Sequence, residues 1–122
     1  MMQETLPSLC PVGQVMGLIG AKWASAILWH LFDRPLRFGT LRRMLPEASP
    51  KILTTRLREL EQAGLIDRVI LSDRPFAVEY RITPKGQTLR PIFQDLTDWG
   101  VVHVLTPEER SAFAALGGRS LR

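Results

Sequence analysis

The chain has 122 residues, which is enough for one hydrophobic core and too few for two domains of ordinary size. Its 45% hydrophobic and 23% charged residues are typical of a soluble globular protein, and no apolar run approaches the roughly 20 residues that cross a bilayer. The net charge of +4 and the pI near 10.0 favour a polyanionic partner.

The N-terminal residues 1–9 lack the basic start and the apolar core of a secretory signal. We therefore expect a flexible N-terminus on a cytoplasmic protein. The single cysteine, Cys10, cannot form a disulfide within the chain.

Three helices are predicted in the first 46 residues. The first runs from Pro11 to Ile19 and stops at Gly20. The second begins near Ala21 or Lys22. A very short strand at residues 36–38 precedes the third helix, which Pro46 stops. The second and third helices carry apolar residues at helical spacing: Trp23, Ile27, Leu28, Leu31 and Phe32 in one, and Phe38, Leu41, Met44 and Leu45 in the other.

Residues 49–63 predict a helix with two different faces, which we call the reading helix. Ser49 is an N-cap residue, Pro50 suits the first helical position, and Gly64 suits the left-handed position after the end. At about 100° per residue, leucines fall on one face. The opposite face has cations and hydroxyls that can contact phosphates and base edges, although a lone basic helix is more often a solvated surface. Its residues are Lys51, Thr54, Thr55, Arg58 and Gln62.

The segments around the reading helix predict a winged helix, and so an α+β fold that is mostly helical. The third helix and the turn at residues 46–48 complete a helix-turn-helix. Residues 65–71 and 78–82 predict two antiparallel strands, whose connection carries Arg74. Such a hairpin is a wing that adds phosphate or minor-groove contacts.

The C-terminal part predicts one long helix and one short helix. The long helix begins at Thr83-Pro84 and runs toward Val104, with a kink at Pro91 because proline removes one helical hydrogen bond. The short helix begins at Thr106-Pro107 and ends at Gly117-Gly118, with Phe113 and Leu116 as its apolar contacts. We expect one domain over residues 10–105, followed by this short helix and a tail over 106–122.

Six ordered motifs carry a resemblance that extends from Cys10 to Gly100. They are Cys10-Pro11-Val12, Leu18-Ile19-Gly20-Ala21-Lys22-Trp23, Arg37-Phe38-Gly39-Thr40-Leu41-Arg42-Arg43, Ser49-Pro50-Lys51-Ile52-Leu53-Thr54, Arg56-Leu57-Arg58-Glu59-Leu60-Glu61 and Val78-Glu79-Tyr80-Arg81-Ile82-Thr83-Pro84-Lys85-Gly86. In these motifs the chain resembles the HxlR-type winged-helix transcriptional regulators of bacteria, relatives of the MarR-type regulators. It has Gly20-Ala21 where that family usually has two glycines.

The resemblance implies a sequence-specific regulator that binds a near-palindromic DNA operator as a homodimer, through its first and long C-terminal helices. A broad apolar stripe on a protein this small supports association, and closure of the monomer's own core is the alternative. The candidate dimer residues are Val12, Val15, Met16, Ile92, Phe93, Leu96 and Trp99.

The candidate DNA-binding residues fall into two groups. We expect the reading helix to use Ser49 for a phosphate and Lys51, Thr54, Thr55 and Arg58 in the groove. Arg56 points off that face, so it should lie beside the core or pair with an acid. The candidates for backbone or minor-groove contacts are Arg37, Arg42, Arg43 and Arg74.

Cys10 precedes Pro11, so it should lie at the N-cap of the first helix, where the helix dipole can stabilise a thiolate. The resemblance implies a sensor, because some members of the family use a cysteine here to detect oxidants, quinones or aldehydes. A disulfide would have to join two subunits or a small thiol, and a mono-adduct is a second route. A buried cap residue without chemistry is the alternative.

An enzyme is not expected, because neither His30 nor His103 has partners at metal-ligand or triad spacing. We predict no metal and no cofactor. The alternative function is a winged-helix module for protein association or for sequence-independent architectural DNA binding. The operator, the target genes, the direction of regulation and the effector are not encoded in these patterns.

Overall fold

The computed structural model describes residues 9–118, and its elements follow the predicted order. Residues 1–8 of the predicted flexible start and residues 119–122 of the predicted tail lie outside that range. No helix within residues 9–118 is long and apolar enough to cross a membrane. The elements are α1 (Pro11–Ile19), α2 (Ala24–Leu31), β1 (Leu36–Arg37), α3 (Phe38–Met44), α4 (Pro50–Gln62), β2 (Ile66–Asp73), β3 (Phe76–Ile82), α5 (Pro84–Gln87), α6 (Arg90–His103) and α7 (Pro107–Ala115).

The strands form one antiparallel sheet in the order β1-β3-β2. Tyr80 in the central strand lies opposite Leu36 on one side and Arg68 on the other. The register of β2 shifts between Ile70 and Ser72, and such a bulge increases the local twist of a hairpin. The β2-β3 hairpin therefore extends beyond the core as a twisted wing next to α4, the predicted reading helix.

The core lies between the helices and one face of the sheet. Leu28 of α2, Leu41 of α3 and Leu53 of α4 are fully buried there. Burial of a leucine side chain stabilises a fold by roughly 1.5–3 kcal/mol, so these contacts fix α2, α3 and α4 to one another. Phe32 and Phe93 stack edge to face with ring centroids 5.1 Å apart, which joins the end of α2 to α6.

The start of α2 differs from the prediction. The helix begins at Ala24 rather than near Ala21 or Lys22, because Trp23 takes a left-handed backbone conformation with φ of 78°. Two contacts hold this uncommon conformation. The Lys22 carbonyl accepts a hydrogen bond from Arg56 Nε at 2.9 Å, and the Lys22 ammonium lies 5.5 Å from the centroid of the indole ring.

The predicted long kinked helix is wrong, because the chain forms two helices, α5 and α6, with a break at residues 88–89. Pro91 lies in the first turn of α6, where a backbone N–H has no acceptor within the helix, so the proline starts a helix instead of bending one. Arg90 fixes this start to the end of α2. Its guanidinium donates to the Phe32 carbonyl and pairs with Asp33 at 3.4 Å.

A capping box begins α7, as predicted. Thr106 Oγ1 accepts from the Glu109 N–H at 3.1 Å, and the Glu109 carboxylate accepts from the Thr106 N–H at 2.9 Å. Two hydrogen bonds hold the pKa of Glu109 below its ordinary value. The larger effect comes from the Thr106 backbone and the smaller one from the Thr106 side chain. The predicted contact of Leu116 is wrong within this chain, because the residue follows the end of α7 and is 87% exposed. Phe113 is half-buried.

Candidate nucleic-acid interface

The two ends of α4 are set by the residues from which the sequence analysis predicted them. Ser49 Oγ accepts from the Ile52 N–H at 3.1 Å, and Pro50 is the first helical residue. At the other end Gly64 has φ of 76°, and the Leu65 N–H donates to the Leu60 carbonyl at 3.0 Å. A left-handed glycine with this hydrogen bond is a standard helix stop. The orientation of the outer face of α4 is therefore set at both ends.

The two faces of α4 are separated as predicted. Leu53, Leu57 and Leu60 are buried, whereas Lys51, Thr55 and Arg58 are exposed and Thr54 is half-buried. The hydroxyls of both threonines donate back along the helix, to carbonyl oxygens four residues earlier, at 2.8 and 3.0 Å. Since the hydroxyl hydrogens are used in this way, the outer face presents threonine methyl groups and oxygen lone pairs to a ligand.

Arg56 does not share this outer face, and it pairs with an acid as predicted. Its guanidinium donates to the Lys22 carbonyl at 2.9 Å and pairs with Glu59 at 3.0 Å. These contacts join α4 to the segment before α2. Arg56 is therefore a structural residue of the helix-turn-helix.

The charges of the candidate interface are not neutralised inside the protein. Within residues 9–118 the ion pairs are Arg56 with Glu59, Arg81 with Glu79, and Arg90 with Asp33. None of these ion pairs uses a candidate DNA-binding cation. Arg43 donates to the Thr40 hydroxyl at 3.1 Å, and because that hydroxyl is neutral, the charge of Arg43 is not compensated by it. The candidate cations without an acid partner in that range are Arg37, Arg42, Arg43, Lys51, Arg58 and Arg74.

A cleft of about 740 Å³ separates α4 from the wing. It brings together three of the candidate residues, Arg37, Thr54 and Arg58, with Glu61 as the acid in its lining. The helix supplies one wall and the inner face of the sheet supplies the other. The arginines in its lining outnumber the single carboxylate, so the cleft attracts a polyanion.

A second hollow, of about 520 Å³, lies at the N-terminus of α4. Arg42, Arg43 and Ser49 line it together with Glu47. The first backbone N–H groups of a helix and its dipole favour an anion at this position. The structure therefore places these two arginines with the cap of α4. Arg74 is separate from them, exposed at the tip of the wing between β2 and β3.

Two residues of the first cleft were missed by the sequence reasoning. Arg68 of β2 and Phe76 of β3 both line the cleft, and the Arg68 guanidinium lies 5.9 Å from the centroid of the Phe76 ring. The alternation of side chains along β2 was the available signal, because Arg68 shares a face of the strand with the buried Ile66.

The candidate dimer residues do not all lie on the surface of the protomer. Phe93 is 5% exposed and belongs to the core, where it contacts Phe32. The other six are exposed on α1 and α6: Val12, Val15, Met16, Ile92, Leu96 and Trp99.

Cys10 is the N-cap residue of α1, in agreement with its predicted position. Its thiol is exposed and makes no capping hydrogen bond. The burial that the alternative assumed for Cys10 is therefore wrong. An exposed thiol at the positive end of a helix is accessible to reagents.

The model of the HxlR-like helix-turn-helix family matches residues 18–108. The chain belongs to this family. The predicted family membership and the predicted winged-helix fold are both confirmed.

Relatives of this HxlR-like protein include transcriptional regulators, one of which is described as a redox regulator. The uncharacterized HTH-type transcriptional regulator YdeP of Bacillus subtilis is 41% identical over 91 residues, which are 75% of this chain and 71% of YdeP. The redox regulator HypR in its oxidized form superposes with a TM-score of 0.73 at 36% identity, over 80% of this chain and 100% of that one. The reduced form of the transcriptional regulator YodB from B. subtilis gives 0.70 at 34% identity, over 78% and 94%.

Proposed function

We propose that this protein is a sequence-specific transcriptional regulator that binds a near-palindromic operator as a homodimer in the cytoplasm of a bacterium. The outer face of α4 is the observation that carries the proposal. It combines Lys51 and Arg58, which have no acid partner within residues 9–118, with Thr54 and Thr55, on a helix whose two ends are fixed. Family membership and the relatives that are named as transcriptional regulators support it.

In this proposal α4 lies in the major groove. Arg58 donates two parallel hydrogen bonds to a guanine edge, and the threonines contact thymine methyl groups or accept from base amino groups. Ser49, Arg42 and Arg43 hold a phosphate at the N-terminus of α4, in the hollow that they line together. Arg37 and Arg74 add backbone or minor-groove contacts on the side of the wing.

The exposed apolar residues of α1 and α6 support the homodimer. Apolar surface of this kind usually marks association, and a two-fold dimer presents two copies of α4 to the two halves of a palindrome. The half-sites should then lie about 34–36 Å apart, which is one turn of DNA.

The experiment is to sequence the genomic DNA fragments that the purified full chain selects from its own genome. The affinity for a selected duplex is then compared with that for a random duplex at several salt concentrations. We expect the selected duplex to bind about 10³-fold more tightly, or better. Equal affinity for both would identify an architectural DNA-binding module, and no binding to either would identify a protein-association module.

We propose further that Cys10 makes this regulator responsive to oxidants or electrophiles. Its exposed thiol at the start of α1 supports this, as do relatives described in oxidized and reduced forms. A disulfide between subunits, a mixed disulfide and a mono-adduct remain the three routes.

Operator affinity and intact mass are measured before and after treatment with diamide, and separately with a quinone. We expect the treatment to change the affinity of the wild type and to leave Cys10→Ser unaffected. The intact mass identifies the route. A response that persists in Cys10→Ser would contradict this role.

A further inference from the structure

Arg68 is an exposed residue of β2, two residues after the buried Ile66. It is opposite the buried Tyr80, whose neighbour on the other side is Leu36, so all three project from the same face of the sheet. Near Leu36 and Tyr80, this face of the sheet packs against the core. Further along the hairpin it forms the wall of the cleft that faces Thr54 and Arg58 of α4.

Phe76 explains how the Arg68 side chain is held there. Phe76 is 62% exposed, so most of this large apolar residue lies outside the core. Phe76 and Tyr80 alternate with outward-facing residues along β3, so Phe76 projects from the inner face of the wing. The Arg68 guanidinium lies 5.9 Å from the ring centroid, within the range of a cation–π contact.

The contact with the ring leaves the hydrogen-bonding capacity of the Arg68 guanidinium unused within residues 9–118. A guanidinium has five N–H donors and no acceptor. No ion pair within residues 9–118 involves Arg68, in contrast to Arg81 on the opposite face of the same wing, whose Nε lies 2.7 Å from Glu79. Arg68 therefore presents an unneutralised charge and a planar donor set to the cleft.

We propose that Arg68, supported by Phe76, binds a backbone phosphate of the DNA strand that passes between α4 and the wing. The inference rests on the proposed function, since it takes α4 as the element in the groove. A phosphate carries no sequence information, so Arg68 contributes to affinity and to its salt dependence equally on all DNA, whereas Arg58 discriminates between sequences. Arg68 is thus a positioning contact that sets how deeply the protein sits on the duplex.

The test is the salt dependence of binding by Arg68→Ala, on the selected operator and on a random duplex. Each phosphate contact contributes about 0.9 to the slope of log K against log salt, so a dimer with two copies should lose about 1.8. Between 50 mM and 200 mM salt, this difference in slope changes the ratio of mutant to wild-type affinity by roughly tenfold. Arg68→Lys, which keeps the charge, should keep most of the slope.

Arg81→Ala is the matched control, because it removes the same charge from the same hairpin on the face where Glu79 already neutralises it. Its slope should equal that of the wild type. Phe76→Leu tests whether the aromatic ring holds Arg68 in place. If it does, Arg68→Ala should weaken DNA binding less in the Phe76→Leu background than in the wild-type background.

A slope unchanged by Arg68→Ala would overturn the phosphate contact. If Arg68→Ala lowers DNA affinity equally with and without Phe76→Leu, the proposed role of Phe76 is overturned. Either result is separable from failure of the proposed function, which would appear in the wild type as equal affinity for operator and random DNA.

Discussion

Arg58 and Arg56 are two residues apart on α4, and their surroundings give them different roles. The Arg56 guanidinium is held by the Lys22 carbonyl and by Glu59. Arg58 is exposed and has no acid partner within residues 9–118. One arginine therefore stabilises the helix-turn-helix, and the other can face a ligand.

We expect Arg58→Ala to weaken operator binding by about 1–3 kcal/mol, because a bidentate contact with a guanine edge is lost. The loss on random DNA should be smaller. Both affinities are measured by fluorescence anisotropy at one salt concentration. Arg58→Lys is the control, since it keeps the charge but lacks the planar pair of donors, and should bind random DNA as the wild type does. Equal losses on both duplexes would contradict base reading by Arg58.

Gly86 is a residue at which only a glycine fits. A Cβ at this position would lie 2.2 Å from the Leu65 carbonyl oxygen and 2.8 Å from Ile82 Cγ1. The close approach is part of a clasp between the start of α5 and the end of α4. In this clasp, Thr83 Oγ1 accepts from the Gly86 N–H at 3.0 Å and donates to the Gly64 carbonyl at 2.6 Å.

Gly86→Ala should lower the free energy of unfolding by about 1–3 kcal/mol or more, because the added methyl meets a backbone oxygen that cannot move without opening the clasp. Urea titration at a fixed protein concentration measures the change. Gly39→Ala is the control, because the nearest atom to its added Cβ would be a terminal nitrogen of Arg43 at 3.7 Å. Equal stabilities of the two variants would show that the clasp is not rigid.

At the scale of elements, helix ends were predictable where their signals are local. Ser49, Pro50 and Gly64 act within a few residues of the boundaries that they set, so the limits of α4 followed from the sequence. Trp23 and Pro91 depend on distant partners. The left-handed Trp23 is held by contacts that reach α4, and Pro91 starts a helix that Arg90 fixes to α2. Periodicity along the chain has no information about such contacts.

The cap of α4 gives a test that separates stability from binding. Ser49→Ala removes the hydrogen bond to the Ile52 N–H and should lower the free energy of unfolding by about 0.5–2 kcal/mol. Ser49→Asp keeps a capping oxygen, so its stability should equal that of the wild type. Its added negative charge should nevertheless weaken DNA binding, because it repels the phosphate proposed for this position.

Thermal unfolding and anisotropy titrations on the two Ser49 variants measure both quantities. The aspartate variant should be stable but bind DNA weakly. The alanine variant should be less stable, with the smaller loss in binding. Wild-type affinity in Ser49→Asp would place the phosphate away from this cap.

At the scale of the whole molecule, part of the apolar stripe of α6 packs in the core and part remains exposed. Phe93 turns into the core, whereas Ile92, Leu96 and Trp99 share one exposed side of α6. The sequence could predict the stripe, but which of its residues faces inward depends on how α6 lies against Phe32 of α2. The pairing of Arg68 with Phe76 was missed for a related reason, because it depends on the strand register and on the bulge in β2.

We expect the exposed side of α6, together with α1, to hold the two protomers together. Leu96→Asp should then dissociate the dimer, because a carboxylate buried at a symmetric apolar interface would meet its own copy or lose its hydration. Leu71→Asp is a matched control: Leu71 is 42% exposed on the wing, close to the 48% of Leu96. Sedimentation velocity on the full chain should show a monomer for the first variant and a dimer for the second.

The same substitution tests whether DNA binding requires the dimer. A protomer that engages one half-site loses the effective concentration provided by its partner, so operator affinity should fall by about 10²-fold or more in Leu96→Asp. Its affinity for a single half-site duplex should remain close to that of one wild-type protomer, since α4 and the wing lie away from the substitution. If Leu96→Asp sediments as a dimer, the protomers associate through another surface, and the exposed side of α6 then needs a different partner.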